Sequence, residues 1–195
     1  SEEDNVCMAL FILEVRNMKN QPTRNLVLAG LFIAIGLMLP FLTGQIPEIG
    51  NKLLPMHIPV LVAGFVLGWR YGLAIGFITP ILRSLLFTMP PMFPSAVAMG
   101  FELAAYGYLT GLLYERLPKQ LLNTYLALLV SMLGGRIVWG LVSMGLYGLA
   151  GNPFTWKIFM AGAFINAIPG IILQLLIIPP LVVALEGSDL IINAS

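Results

Sequence analysis

The chain has 195 residues, 58% of them hydrophobic and only 10% charged, with a formal net charge of +1 and a mean hydropathy of +0.92. A water-soluble domain carries about 25% charged residues, so this composition excludes one and points to an integral membrane protein. Cys7 stands alone, which excludes an intrachain disulfide or a cysteine metal cluster; one histidine and nine acids leave little for a metal site, and no basic run offers a surface to nucleic acid.

Residues 1–17 read as an extension ahead of the membrane domain. Their short apolar run, 8–13, follows acids, the reverse of a signal peptide's basic start. Met18 then opens a stretch (MKNQPTRNLVLAG) with the look of a natural N-terminus. An interfacial helix is the competing reading of this extension. The membrane domain is expected over 18–185, with 186–195 as a tail.

A span needs roughly 20 mostly apolar residues, and the first falls at 25–42. Gly30 and Ala34, one turn apart, make a small-xxx-small pair that lets another helix approach, either inside the bundle or from a partner. The loop TGQIPEIGNK sets Gln45, Glu48 and Asn51 among Gly and Pro, as a binding loop would. The second span, 53–69, has His57 at its entrance between Pro55 and Pro59. A lone histidine of this kind is more often structural than ligand-binding. Arg70 and Tyr71 are expected to form a short turn into the third span, 72–88, with Gly64 and Gly68 facing Gly72 and Gly76 across it. Pro80 is expected to kink that span just before Arg83.

The fourth span, within 95–118, carries Glu102 about a third of the way in. A carboxylate at that depth is costly to leave unpaired and faces a protein interior or a wet cavity. Tyr106 shares its helical face, and Ala104, Ala105, Gly107 and Gly111 leave the other faces thin. The fifth span, 121–147, places Arg136 deep in lipid with Trp139 and Gly140 on its face. In the sixth, 158–185, Gly162, Asn166, Gly170 and Gln174 recur every four residues as a thin polar stripe. Pro179 and Pro180 are expected to distort or end it.

The expected architecture is an all-α integral membrane protein, a bundle of six transmembrane helices. Cytoplasmic N and C termini put Arg16, Lys19, Arg24, Arg70, Arg116 and Lys119 inside against Lys52 and Lys157 outside, which the positive-inside rule favours. Counted at 1.5 Å per residue, Arg83, Glu102, Arg136 and Asn166 then share the middle-to-outer part of a ~30 Å core. One outward-opening cavity is the functional reading; an Arg–Glu pair that merely pins the bundle is the bland one. Catalysis finds no support in GxSxG, HExxH or a second intramembrane carboxylate. No repeated polar lining suggests a channel, and no inverted repeat suggests a complete transporter. A binding subunit that relies on a partner for energy fits better than the alternatives, a self-sufficient small secondary transporter or an intramembrane enzyme using Glu102 and Arg136.

The order LVLAGLFIAIG, LLPMHIPVLVAGFVLGWRYGLAIGFITPILRSL, FPSAVAMGFELAAYG, GGRIVWG and FINAIPGIILQ resembles the substrate-binding S components of energy-coupling factor (ECF) vitamin transporters over about 24–184. The resemblance implies six helices in a bacterial cytoplasmic membrane, with a vitamin held near the outer face by the first loop and helices 4 to 6. It implies a small-residue patch on helix 1, here Gly30 and Ala34, that docks on a transmembrane T subunit driven by two cytoplasmic ATPases. ATP is then used by the partners and this chain needs no cofactor. Many S components have alanine where this chain has Gly30. The residue set is closest to S components for pyridoxine or hydroxymethylpyrimidine, with pantothenate next. Gln45, Glu48, His57, Arg83, Glu102, Tyr106, Arg136, Trp139 and Asn166 are the candidate substrate contacts. Glu102 and Asn166 suit ring nitrogens and hydroxyls, Trp139 and Tyr106 suit a ring face, and Arg136 with Arg83 suits a carboxylate.

Overall fold

The computed structural model describes residues 21–42, 54–149, 151, 155–165 and 167–187, and among them every regular element is helical. The helices are α1 (Gln21–Leu42), α2 (His57–Leu67), α3 (Trp69–Phe87), α4 (Val97–Arg116), α5 (Leu121–Leu149), α6 (Trp156–Met160) and α7 (Ile168–Glu186). Five stretches are long and apolar enough to cross a membrane: Pro22–Phe41, Trp69–Phe87, Met92–Arg116, Leu121–Leu149 and, with α6 and α7 taken together, Trp156–Glu186.

The second expected span is the exception. α2 has 11 residues, or about 16 Å of helix, short of a ~30 Å hydrocarbon core. It is buried along nearly its whole length because α1, α3, α4 and α7 all pack on it. Gly68, at φ 82°, takes the left-handed conformation that glycine adopts without a Cβ clash, and α3 begins at the next residue. The turn is therefore Gly68 alone; Arg70 and Tyr71 belong to the first turn of α3. That helix runs on through Pro80 to Phe87.

The glycines of α2 and α3 serve α4 more than each other. A Cβ on Gly76 would collide with the Leu103 carbonyl, and one on Gly72 with the Gly107 backbone and the Gly64 Cα. Gly107 answers with the same clash against Gly72, and Gly111 against Trp69. Lipid gives helices no hydrophobic drive to associate, so such backbone-close approach is where dispersion and Cα–H contacts can act. A wide turn over Met92–Ala96 leads into α4, with the Ala96 N–H bonded to the Pro91 carbonyl.

α5 returns antiparallel along α4, so that Gly135 lies against the Tyr106 ring. The last span is not one regular helix. α6 passes into a wide turn at Ala161–Ile165 and α7 starts afresh at Ile168, with Pro169 in its first turn, where a missing N–H costs nothing. The four-residue spacing of Gly162, Asn166, Gly170 and Gln174 thus straddles a break. α7 continues through Pro179 and Pro180 to Glu186, whose carboxylate accepts the Tyr114 hydroxyl. Glu186 therefore belongs to the helix and not to the expected tail. The expectations for 1–17, Gln45, Glu48, Asn51 and Asn166 lie outside the described residues.

Candidate functional site

Glu102 and Tyr106 sit one turn apart on α4, and the Tyr106 hydroxyl donates to Glu102 Oε1 at 3.1 Å. Gly135 on α5 leaves room for the Tyr106 ring, and its neighbour Arg136 brings Nη1 to 2.8 Å from the same Oε1. His57, the first residue of α2, places Nε2 at 3.6 Å from that oxygen and its ring edge-on to Tyr106, centroids 5.3 Å apart. Three helices thus converge on one carboxylate oxygen. Glu102, Tyr106 and His57 are each 2% exposed and Arg136 5%, so the charges meet away from water. In such surroundings, removing one partner of a buried ion pair costs about 3–5 kcal/mol, because the other is left uncompensated.

Arg83 is not brought to this cluster. Its Nη1 donates to the Leu37 carbonyl of α1 at 2.7 Å, and its guanidinium lies over Phe41 and Phe87, 5.2 and 5.7 Å from the ring centroids. Equal depth in two spans did not mean a shared site, since α3 turns Arg83 toward α1. Trp139, one turn beyond Arg136, is half-buried and stacks on Phe159 at 6.2 Å, with Gly162 against its ring. It faces the last span.

Thr79, Thr110 and Ser131 bond to the carbonyls of Ile75, Tyr106 and Ala127 in their own helices, the back-bonding of an ordinary buried hydroxyl. Among the described residues, His57 Nδ1, Ser143 Oγ and Gln174 Nε2 are buried without a hydrogen-bond partner, and His57 Nε2 has only its 3.6 Å contact with Glu102. Gln174 and Phe159 are the residues that sequence reasoning passed over as site candidates. Gln174 carried a signal in its position on the polar stripe, and Phe159 in the glycine opposite it, Gly140, where a Cβ would strike its ring. A groove of about 440 Å³ lined by Ile137, Gly140, Leu141, Met144, Thr155, Trp156 and Phe159 is apolar, and its Leu141 and Trp156 are exposed.

Gly30 and Ala34 point the other way from all of this. Pro22, Leu26, Gly30, Ala34 and Met38, every fourth residue of α1, are exposed, and a Cβ on Gly30 would meet nothing within 4 Å. Among the described residues, nothing packs on the small pair.

A sequence profile of the family described as ECF transporter, substrate-specific component, matches residues 24–182. The chain belongs to this family. Comparison with curated proteins and with solved structures gave no match. Membership in the ECF substrate-specific component family, together with five stretches able to cross a bilayer, makes the chain a multi-pass membrane protein. It is a substrate-specific component of an ECF transporter, a transport protein.

Proposed function

We propose that this ECF substrate-specific component binds a neutral heteroaromatic vitamin or precursor, pyridoxine or hydroxymethylpyrimidine ahead of pantothenate, at the cluster around Glu102. The supporting observation is the separation of the two arginines. Arg136 is already matched by Glu102 at 2.8 Å, and Arg83 is tied to the Leu37 carbonyl, so no pair of arginines is left to clamp a carboxylate. A pantothenate carboxylate would meet, at the described cluster, an arginine already neutralised by Glu102, at the desolvation cost of a buried charge. A hydroxylated or aminated ring asks only for hydrogen bonds. With three contacts meeting on Oε1, the second oxygen of Glu102 is the one offered to a ligand donor, and Tyr106 and His57 supply ring faces beside it.

In this reading the bundle crosses a bacterial cytoplasmic membrane with both ends inside, and the loaded subunit docks on a T subunit through the exposed Gly30–Ala34 face of α1. Two ATPases then supply the energy, so the chain itself holds no cofactor. Gln45, Glu48, Trp139 and Asn166 would complete the ligand's surroundings from the first loop, α5 and the last span.

The test is a vitamin panel read by thermal unfolding of the purified chain, since a ligand that binds only the native state raises stability by RT ln(1 + [L]/Kd). Pyridoxine or hydroxymethylpyrimidine should raise the melting temperature and pantothenate should not. Stabilisation by pantothenate alone would overturn the ligand class.

A further inference from the structure

Gln174 lies on α7, outside the contacts of the cluster described above. The pin at the other end of the bundle fixes its level. Tyr114 donates its hydroxyl to Glu186; Tyr114 follows Glu102 by twelve residues and Glu186 follows Gln174 by twelve. α4 and α7 also run the same way. α5 is antiparallel to α4, and the last span returns along it from Trp139, which Phe159 and Gly162 touch, to the Tyr114 end of α4. Counting back from the shared pin, Glu102 and Gln174 each rise about 18 Å. They stand at one level.

Burial and packing direct the amide inward. Gln174 is 1% exposed, and α7 packs on α2 and α5, the helices that carry His57 and Arg136. Its Nε2 has no hydrogen-bond partner among the described residues, and neither has Nδ1 of His57. Thr79, Thr110 and Ser131 satisfy their hydroxyls on their own helices, although the Ser143 hydroxyl does not. The amide nitrogen is a donor only and has no such recourse. An unpaired buried donor is a standing cost that disappears when an acceptor arrives.

We propose that Gln174 is a further specificity-determining residue of this site, donating its amide N–H to a ring nitrogen or hydroxyl oxygen of a neutral heteroaromatic ligand whose opposite edge meets Glu102. The inference rests on the reading of the Glu102 cluster as the substrate site. His57 Nδ1, buried without a hydrogen-bond partner among the described residues, suits the same ring edge. Sites that hydrogen-bond a ligand group reject analogues lacking it far more strongly than apolar pockets reject an extra methylene.

The experiment uses the full chain purified in detergent, with pyridoxine and hydroxymethylpyrimidine as probes. Gln174→Met keeps the side-chain length and removes the amide; Gln174→Asn keeps the amide one methylene back. Without ligand, Gln174→Met should melt at or above the wild-type temperature, since an unpaired donor has gone. Its affinity for the bound probe should fall at least about tenfold, and Gln174→Asn should recover part of the loss. If Gln174→Met binds like the wild type while the double variant Glu102→Gln with Arg136→Met does not, the role of Gln174 is refuted and the site stands. If both variants bind like the wild type, the site reading fails as well. A ligand-free Gln174→Met that melts well below the wild type would make the amide a structural group and overturn the proposal. So would a wild type that neither probe stabilises.

Discussion

Two faces of α4 hold the molecule together by opposite means. Toward α3 the helix presents Gly107 and Gly111, and the contact is backbone on backbone: any Cβ at these positions would strike Gly72 or Trp69. Toward α5 and α2 it presents Glu102 and Tyr106, and the contact is polar side chain on polar side chain, gathered on one oxygen. The first face works through what is absent and tolerates no addition. The second works through matched charges, so its partners can be exchanged together where they cannot be removed singly. The exposed pair on α1 adds a third case. Gly30 and Ala34 have the same small-residue spacing as the α4 seam, yet no described residue fills it. The same pattern therefore serves an internal seam in one helix and an open face in another.

The largest effect is expected on the glycine face. Gly107→Leu puts a side chain into the Gly72 backbone and should cost about 4 kcal/mol or more, read as failure to recover a monodisperse protein in detergent. A well-folded Gly107→Leu variant would mean that the seam yields, and that α3 and α4 are less tightly joined than described.

Gly30→Trp tests the open face. Because a Cβ there meets nothing within 4 Å, the variant should fold and bind vitamin with affinity changed by no more than about twofold. Co-purification with the T subunit and ATPases should be lost. Unfolding of this variant would put the residue inside the bundle, and normal assembly would move the docking face to another helix.

The smallest effect is expected at Arg83. Arg83→Met gives up a charge-assisted bond to the Leu37 carbonyl but also relieves a buried charge, and the net loss should be about 1 kcal/mol. Ligand affinity, measured by calorimetry, should be unchanged. A large loss of affinity with intact stability would draw Arg83 back into the site.

Much of this was legible in the sequence. A carboxylate and a guanidinium inside apolar runs stand out by type alone, and the i, i+4 spacing sets Tyr106 beside Glu102. The family resemblance over 24–184 agrees with the matched residues 24–182. Arg83 gave the same signal as Arg136 yet went elsewhere, because its partner is a main-chain carbonyl, a group every residue has and no sequence announces. The shortness of α2 lies mostly at its start, since the helix begins at His57 and not at residue 53, and Gly68 with its left-handed φ ends it at Leu67. The break at Ala161–Ile165 was hidden by a regular four-residue spacing that continued across it. Depth could be counted from sequence, but the direction a side chain faces depends on helix rotation, which the neighbours set.

The central claim is that the Glu102–Arg136 pair serves the ligand and does more than hold the helices. Single removals cannot decide it, since each leaves a buried charge. The direct measurement is calorimetric binding of the vitamin found in the panel to the double variant Glu102→Gln with Arg136→Met, alongside its melting temperature. Exchanging a buried pair for neutral groups of similar volume is often close to neutral for stability, so the double variant should fold and melt near the wild type. Its affinity should fall by about 100-fold or more, a loss of about 2.7 kcal/mol. A double variant that melts normally and still binds within about threefold of the wild type, under 1 kcal/mol, would contradict the account and leave the pair a structural pin.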